Sequence, residues 1–208
     1  MKQIALVLFI GLALSLCNLS ERLHGSKSGS NSSGGSVRDN GVSPEHGTPT
    51  AAQTAALSGG SEAKWARQGM SWTAPPNWTE EQNESQSFML RSPGGGGAAS
   101  LIVSISPMAE EFPIEESLKA TFEGAKTRAK NGEVDELKWV EIDGVKGVQF
   151  REANPENPDN SRRLQWIAYR KYTGQVQYVN VMLASDARDF DRHKDAMYGI
   201  LYSMKLAH

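Results

Sequence analysis

Leu137-Lys-Trp-Val-Glu-Ile142 and Val145-Lys-Gly-Val-Gln-Phe-Arg-Glu152 flank Asp143-Gly144, and this stretch decides the fold. Asp-Gly between two runs of alternating apolar and polar residues marks a two-residue hairpin, because both turn positions need a left-handed backbone that these residues tolerate. Leu164 to Tyr172 and Val176 to Leu183 flank Thr173-Gly174 in the same manner. Four strands are therefore expected as an antiparallel meander, since such short turns cannot join parallel strands. Strand alternation sends Trp166 and Tyr169 to opposite faces. With Trp139, Tyr172 and Tyr178 nearby, the sheet should carry large rings on both faces and pack a layer against each.

Outward from the meander, Ala187 to Lys205 places Phe190, Met197, Ile200, Leu201 and Met204 on one helical face, which predicts a closing amphipathic helix. Upstream, Pro113 opens a second helix with Ile114, Leu118, Phe122 and Ala125 on one side, and Asn131-Gly132 ends it. Three short strands precede it: Gly69 to Pro75, Ser87 to Arg91, and the β-branched run from Ala99. Pro93 to Gly97 is read as the turn between the last two. Leu101, Val103, Val179, Val181 and Leu183 should lie in the core. The fold class expected is α+β, an α/β/α sandwich around a mainly antiparallel sheet.

The order of these elements resembles a known family. Gly69-Met-Ser-Trp-Thr-Ala-Pro75 followed by Asn77-Trp78 starts the pattern, and Ile142-Asp-Gly-Val-Lys-Gly147 and a closing helix ending Ile200-Leu-Tyr-Ser203 complete it. From about Trp65 to Leu206 the chain is similar to the PsbP-like sandwich, which small bacterial envelope lipoproteins share. The resemblance implies a non-enzymatic accessory or binding role; a fold alone does not choose the partner.

The amino terminus reads as an address. Lys2 supplies a positive n-region, Ile4 to Leu16 an apolar stretch of secretory length, and Cys17 stands where that stretch stops. Leu14-Ser-Leu-Cys17 resembles a bacterial lipoprotein signal, whose cysteine becomes the lipidated first residue; Leu16 departs from the small residue usual there. The stretch is shorter than the about 20 apolar residues of a membrane span. Residues 1–17 are thus expected to be a lipoprotein-type signal peptide, with lipidation at Cys17. Cell-envelope anchoring by lipid is the expected location, and free secretion or a periplasmic location is the alternative. With Cys17 the sole cysteine, no intramolecular disulfide can form.

Residues 18–63, free of Phe, Trp and Tyr and dominated by Gly, Ser, Asn, Thr and Ala, are expected to be a disordered linker, because they cannot bury enough apolar surface to offset chain entropy. Residues 64–208 are then the folded domain. A formal charge of −2 supplies no electrostatic reason for a nucleic-acid partner.

Catalytic patterns are sparse. Within 64–208 the histidines are His193 and His208, without metal-ligand spacing, and His193 is read as a helix-edge residue. No Gly-x-Ser-x-Gly elbow occurs. Gly94-x-Gly96-x-x-Ala99 leads into a strand instead of a helix, so it offers no pyrophosphate site, and Ser61-x-x-Lys64 lacks its companion motifs. No catalytic residue, metal site or cofactor is expected. The feature left over is a long loop, Ala153 to Ser161, rich in Asn and Pro and flanked by arginines. Loops of this kind on rigid sheets are common binding elements. Asn154, Glu156, Asp159, Arg162 and Arg163 are the candidate partner-binding residues; a solvated hairpin loop is the plain alternative. A second alternative is a small-molecule-binding protein or weak hydrolase, using a pocket between the sheet and the last helix.

Overall fold

The computed structural model describes residues 43–94 and 97–208. Cys17, the expected signal peptide, residues 18–42 of the expected linker, and Gly95 and Gly96 of the glycine turn lie outside the described residues. Along the chain run β1 (Glu45–His46), α1 (Ala51–Ala56), β2 (Ser61–Trp65), a 3-10 turn (Ala66–Gln68), β3 (Met70–Ala74), β4 (Thr79–Asn83), β5 (Ser87–Arg91) and β6 (Ser100–Met108). Then follow α2 (Ile114–Lys130), β7 (Val134–Ile142), β8 (Val145–Glu152), β9 (Ser161–Tyr172), β10 (Gln175–Asp186), α3 (Ala187–Tyr202) and β11 (Lys205–Leu206).

The two hairpins form as the sequence predicts. Ile142 pairs with Val145 across Asp143 and Gly144, at φ +49° and +81°. Tyr172 pairs with Gln175 across Thr173 and Gly174, at φ +50° and +78°. Both residues of each turn are left-handed, the geometry whose twist matches the flanking strands. Thr173 tolerates a conformation that β-branched residues rarely adopt; its hydroxyl donates to the Tyr172 carbonyl at 2.8 Å. From this meander an eight-stranded sheet grows in the order β1-β7-β8-β9-β10-β6-β5-β4, antiparallel except for the β1 and β7 pair. β3 lies between β11 and β2 in a separate three-stranded sheet.

Alternation then builds a core on each face. Leu101, Val103, Trp166, Val179, Val181 and Leu183 pack with Phe190, Met197, Ile200 and Leu201 of α3, joined by Trp65 and Trp72 of the small sheet. The opposite face carries Val148, Phe150 and Ile167 against Leu118 and Ala125 of α2. There Phe122 stacks on Trp139 at 4.8 Å with 6° between the ring planes, and Tyr169 and Tyr178 pack nearby. Trp166 and Tyr169 thus belong to opposite cores.

Two boundaries differ from the sequence reading. The domain does not begin at 64: β1 joins the large sheet, α1 packs on α3, and Leu57 is buried. Composition misleads here because small residues are what the site needs. Thr50 caps α1 by accepting from the Gln53 N–H, and the Gln53 side chain accepts from the Thr50 N–H, a reciprocal capping box. Against α1, Gly199 of α3 leaves no room for a side chain; a Cβ there would lie 2.8 Å from the Gln53 carbonyl. The closing helix also ends earlier, at Tyr202. The Ser203 hydroxyl accepts from the Thr73 N–H at 3.0 Å, which turns the chain so that Lys205 and Leu206 pair with β3. Met204 still enters the core.

Candidate functional site

The loop from 153 to 160 is docked instead of projecting freely. Ala187 N–H donates to the Asn160 carbonyl at 2.9 Å and Arg188 N–H to the Pro158 carbonyl at 3.1 Å, so the loop seats on the first turn of α3. Asp159 forms an ion pair with Arg188. Asn154 and Glu156 are exposed and make no side-chain hydrogen bond among the described residues.

The two arginines that follow are structural in geometry. Arg162 is 5% exposed; it donates to the Glu152 carbonyl at 2.8 Å and to Asp135 at 2.6 Å, and its guanidinium lies 4.5 Å from the Phe190 ring centre. Arg163 donates to the Glu152 carboxylate at 2.8 Å, and that carboxylate raises its pKa. Asn154, Glu156 and Asp159 are thus exposed, with Asp159 held by Arg188, while Arg162 is turned into the core.

A cleft between the sheet and α3 is a second candidate. It encloses about 360 Å³, with Glu136, Lys138 and Arg151 from the sheet, Tyr198 and Tyr202 from α3, and the segment around β1 as its wall. Glu136 is the hub. It accepts from the Tyr198 hydroxyl at 2.7 Å and from the Gln149 amide at 2.7 Å, and it pairs with Arg151 at 3.1 Å and Lys138 at 3.6 Å. Gln149, with no exposed surface, accepts in turn from the Tyr202 hydroxyl at 2.9 Å. On the β1 side Lys138 reaches Glu45 at 3.4 Å, and His46 lies 3.3 Å from Glu141.

Burial sets the chemistry of this network. It pushes the Tyr198 phenol far up, reinforced by the Glu136 carboxylate beside it, and raises Tyr202 as well. Burial alone would lower Arg151 and Lys138, but their partners outweigh it and raise both: Asp135 first, with Tyr198 and Glu136, for Arg151, and Tyr202 first, with Glu136 and Glu45, for Lys138. The phenols thus stay protonated at neutral pH and serve as donors, not bases. A cleft with fixed cations, protonated phenols and acidic edges can orient a small polar molecule.

Sequence reasoning missed Glu136, Lys138, Gln149, Tyr198 and Tyr202. The available signal was the spacing of Tyr198 and Tyr202 by one helical turn, opposite alternate β7 residues Glu136 and Lys138. His46 was likewise outside the expected domain. His193 sits at the helix edge as expected, its Nε2 3.1 Å from the Gly97 carbonyl. Among the described residues no cluster of three or more His, Cys, Asp or Glu side chains is arranged to hold a metal ion, and no helix is long and apolar enough to cross a membrane.

No protein-family model matches the sequence, and no curated protein matches it. Solved structures do. LpqN of Mycobacterium tuberculosis, described as involved in cell envelope biogenesis, aligns with a TM-score of 0.52 at 12% identity, over 72% of this chain and 86% of that one. Cyanobacterial PsbP (CyanoP) from Synechocystis sp. PCC 6803 aligns with a TM-score of 0.46 at 12% identity, over 71% of this chain and 92% of that one. The likeness to LpqN shows the fold, a sandwich of the PsbP-like kind expected from the order of elements.

Proposed function

We propose that this chain is an exported envelope protein, anchored by lipid at Cys17, whose folded domain is a non-catalytic binding module for another macromolecule. The observation that carries the reading is the order Lys2, Ile4 to Leu16, Cys17 ahead of a self-contained domain. In this reading the residues between Cys17 and the folded domain are the tether. The domain could then reach partners near the membrane surface. Loop residues Asn154, Glu156 and Asp159 are the proposed contact.

The test is the intact mass of the mature protein extracted from the host's membrane fraction. A chain beginning at Cys17 with added diacylglyceryl and acyl mass supports the proposal. An unmodified chain beginning near Asn18 refutes anchoring and leaves a secreted domain; retention of Met1 refutes processing altogether.

A second reading, a small-molecule-binding protein, is favoured by the cleft around Glu136, Arg151 and Tyr198. A ligand bound only by the folded state raises the melting temperature by mass action. A thermal-shift screen of polar metabolites supports this reading if a hit is lost in Lys138→Ala.

A further inference from the structure

A smaller cavity of about 290 Å³, sharing no lining residue with the Glu136 cleft, opens where the first turns of α2 meet the start of β8 and the end of β9. Ile114 and Leu118 form part of its lining, with Lys146, Arg170, Lys171 and His208 around them and Glu115 as its one carboxylate side chain. On a chain whose formal charge is −2 with histidines neutral, three cationic side chains, Lys146, Arg170 and Lys171, beside one carboxylate side chain are distinctive.

Carboxylate side chains do not neutralise the excess. Arg170, 3% exposed, spends its N–H groups on neutral acceptors: the Gln177 side chain at 3.0 Å and the carbonyls of Ala207 and Gln68. No carboxylate among the described residues pairs with it. Desolvation lowers its pKa to about 10, which still leaves it charged at neutral pH. Lys171 is exposed and has no ionic partner among the described residues. Lys146 meets Glu115 at 3.0 Å and sits 4.8 Å from the Trp139 ring centre, so Glu115 answers one cation of the set.

The Arg170 charge is buried without a carboxylate partner, its cost offset in part by the Tyr172 ring 4.5 Å from the guanidinium. Low-dielectric walls also focus its field into the cavity. A compact, multiply charged anion with several acceptor oxygens would meet the Lys146 and Lys171 ammonium groups, in the field of the buried Arg170 guanidinium, better than a single carboxylate. Apolar Ile114 and Leu118 would accept the short organic stem that carries it.

We propose that this cavity is an anion site for a phosphate group, borne either by a small phosphorylated molecule or by a lipid headgroup. The test uses the full chain in detergent, titrated with inorganic phosphate and, separately, with glycerophosphoglycerol, the water-soluble form of a phosphodiester headgroup. Binding is read by calorimetry and by amide shifts, with acetate at matched ionic strength as control. Saturable binding with shifts centred on Gly144, Lys146 and Lys171 is expected, weakened at least about tenfold in Lys146→Ala/Lys171→Ala and unchanged in the α2 surface variant Lys126→Ala/Lys130→Ala. A response to inorganic phosphate alone identifies a free phosphate ligand, and a response to the diester identifies a headgroup. No saturable binding below about 20 mM, an equal response to acetate, or an equal loss in the α2 variant overturns the proposal.

Discussion

The Trp166 indole closes directly over Gly147: a Cβ built at 147 would lie 2.5 Å from Nε1 and 2.6 Å from Cε2. Nε1 meanwhile donates to the Val140 carbonyl at 3.2 Å, across β8 to the next strand. One ring therefore fixes three neighbouring strands, and it can do so only because β8 carries no side chain at that point.

Gly147→Ala is accordingly expected to destabilise the domain by about 2 kcal/mol or more, since an overpacked core must displace a fully buried ring. Gly124→Ala is the contrast: it lies within α2 and a Cβ there meets nothing within 4 Å, so it should stabilise by about 0.5–1 kcal/mol. Urea unfolding of the two variants checks both signs; equal effects would contradict the packing argument.

Alkaline pH should loosen the joint between α3 and the sheet. The Tyr198 phenol has a folded pKa raised by burial and by Glu136, so above its unfolded pKa of about 10 the unfolded chain has lost a proton that the folded chain keeps. Stability is then full below about pH 10 and falls as pH rises, with a slope approaching 1.4 kcal/mol per pH unit for this group. Tyr202, raised by burial as well, adds to the slope. Unfolding measured between pH 8 and 11 should fall less steeply in Tyr198→Phe; an unchanged slope would remove Tyr198 as its source.

The segment ahead of residue 64 should matter for stability. Leu57→Ala empties a buried position beside Gly199 and is expected to cost about 2–3 kcal/mol. Thr50→Ala removes the cap of α1 and should cost about 1 kcal/mol. Both are read by thermal unfolding and by faster proteolysis between residues 43 and 63. Wild-type behaviour in both would mean that this segment adds nothing to the fold.

The loop should separate into a structural and a recognition half. Arg162→Ala strips Asp135 and the Glu152 carbonyl of a buried donor and uncovers the Phe190 ring; a loss of about 3 kcal/mol is expected. The combined change of Asn154, Glu156 and Asp159 to Ala should shift stability by less than about 1 kcal/mol, as exposed ion pairs contribute little. Melting curves decide this split, and a large loss in the triple variant would make the loop wholly structural.

The large antiparallel sheet is legible in the sequence, because the periodicity of strands and the left-handed turns at Asp143-Gly144 and Thr173-Gly174 are local properties carried by a few adjacent residues. So are both amphipathic helices and the opposite facing of Trp166 and Tyr169, which follow from repeat distances alone. The membership of residues 45–63 in the domain depends on long-range packing, since a two-residue strand and a six-residue helix are too short to persist alone and exist through their contacts with β7 and α3. The burial of Arg162 and the convergence of Glu136, Gln149 and Tyr198 depend on the same long-range packing. Such groups come from strands and helices up to 62 positions apart, and no local pattern records which distant polar side chain will satisfy another once both have left water.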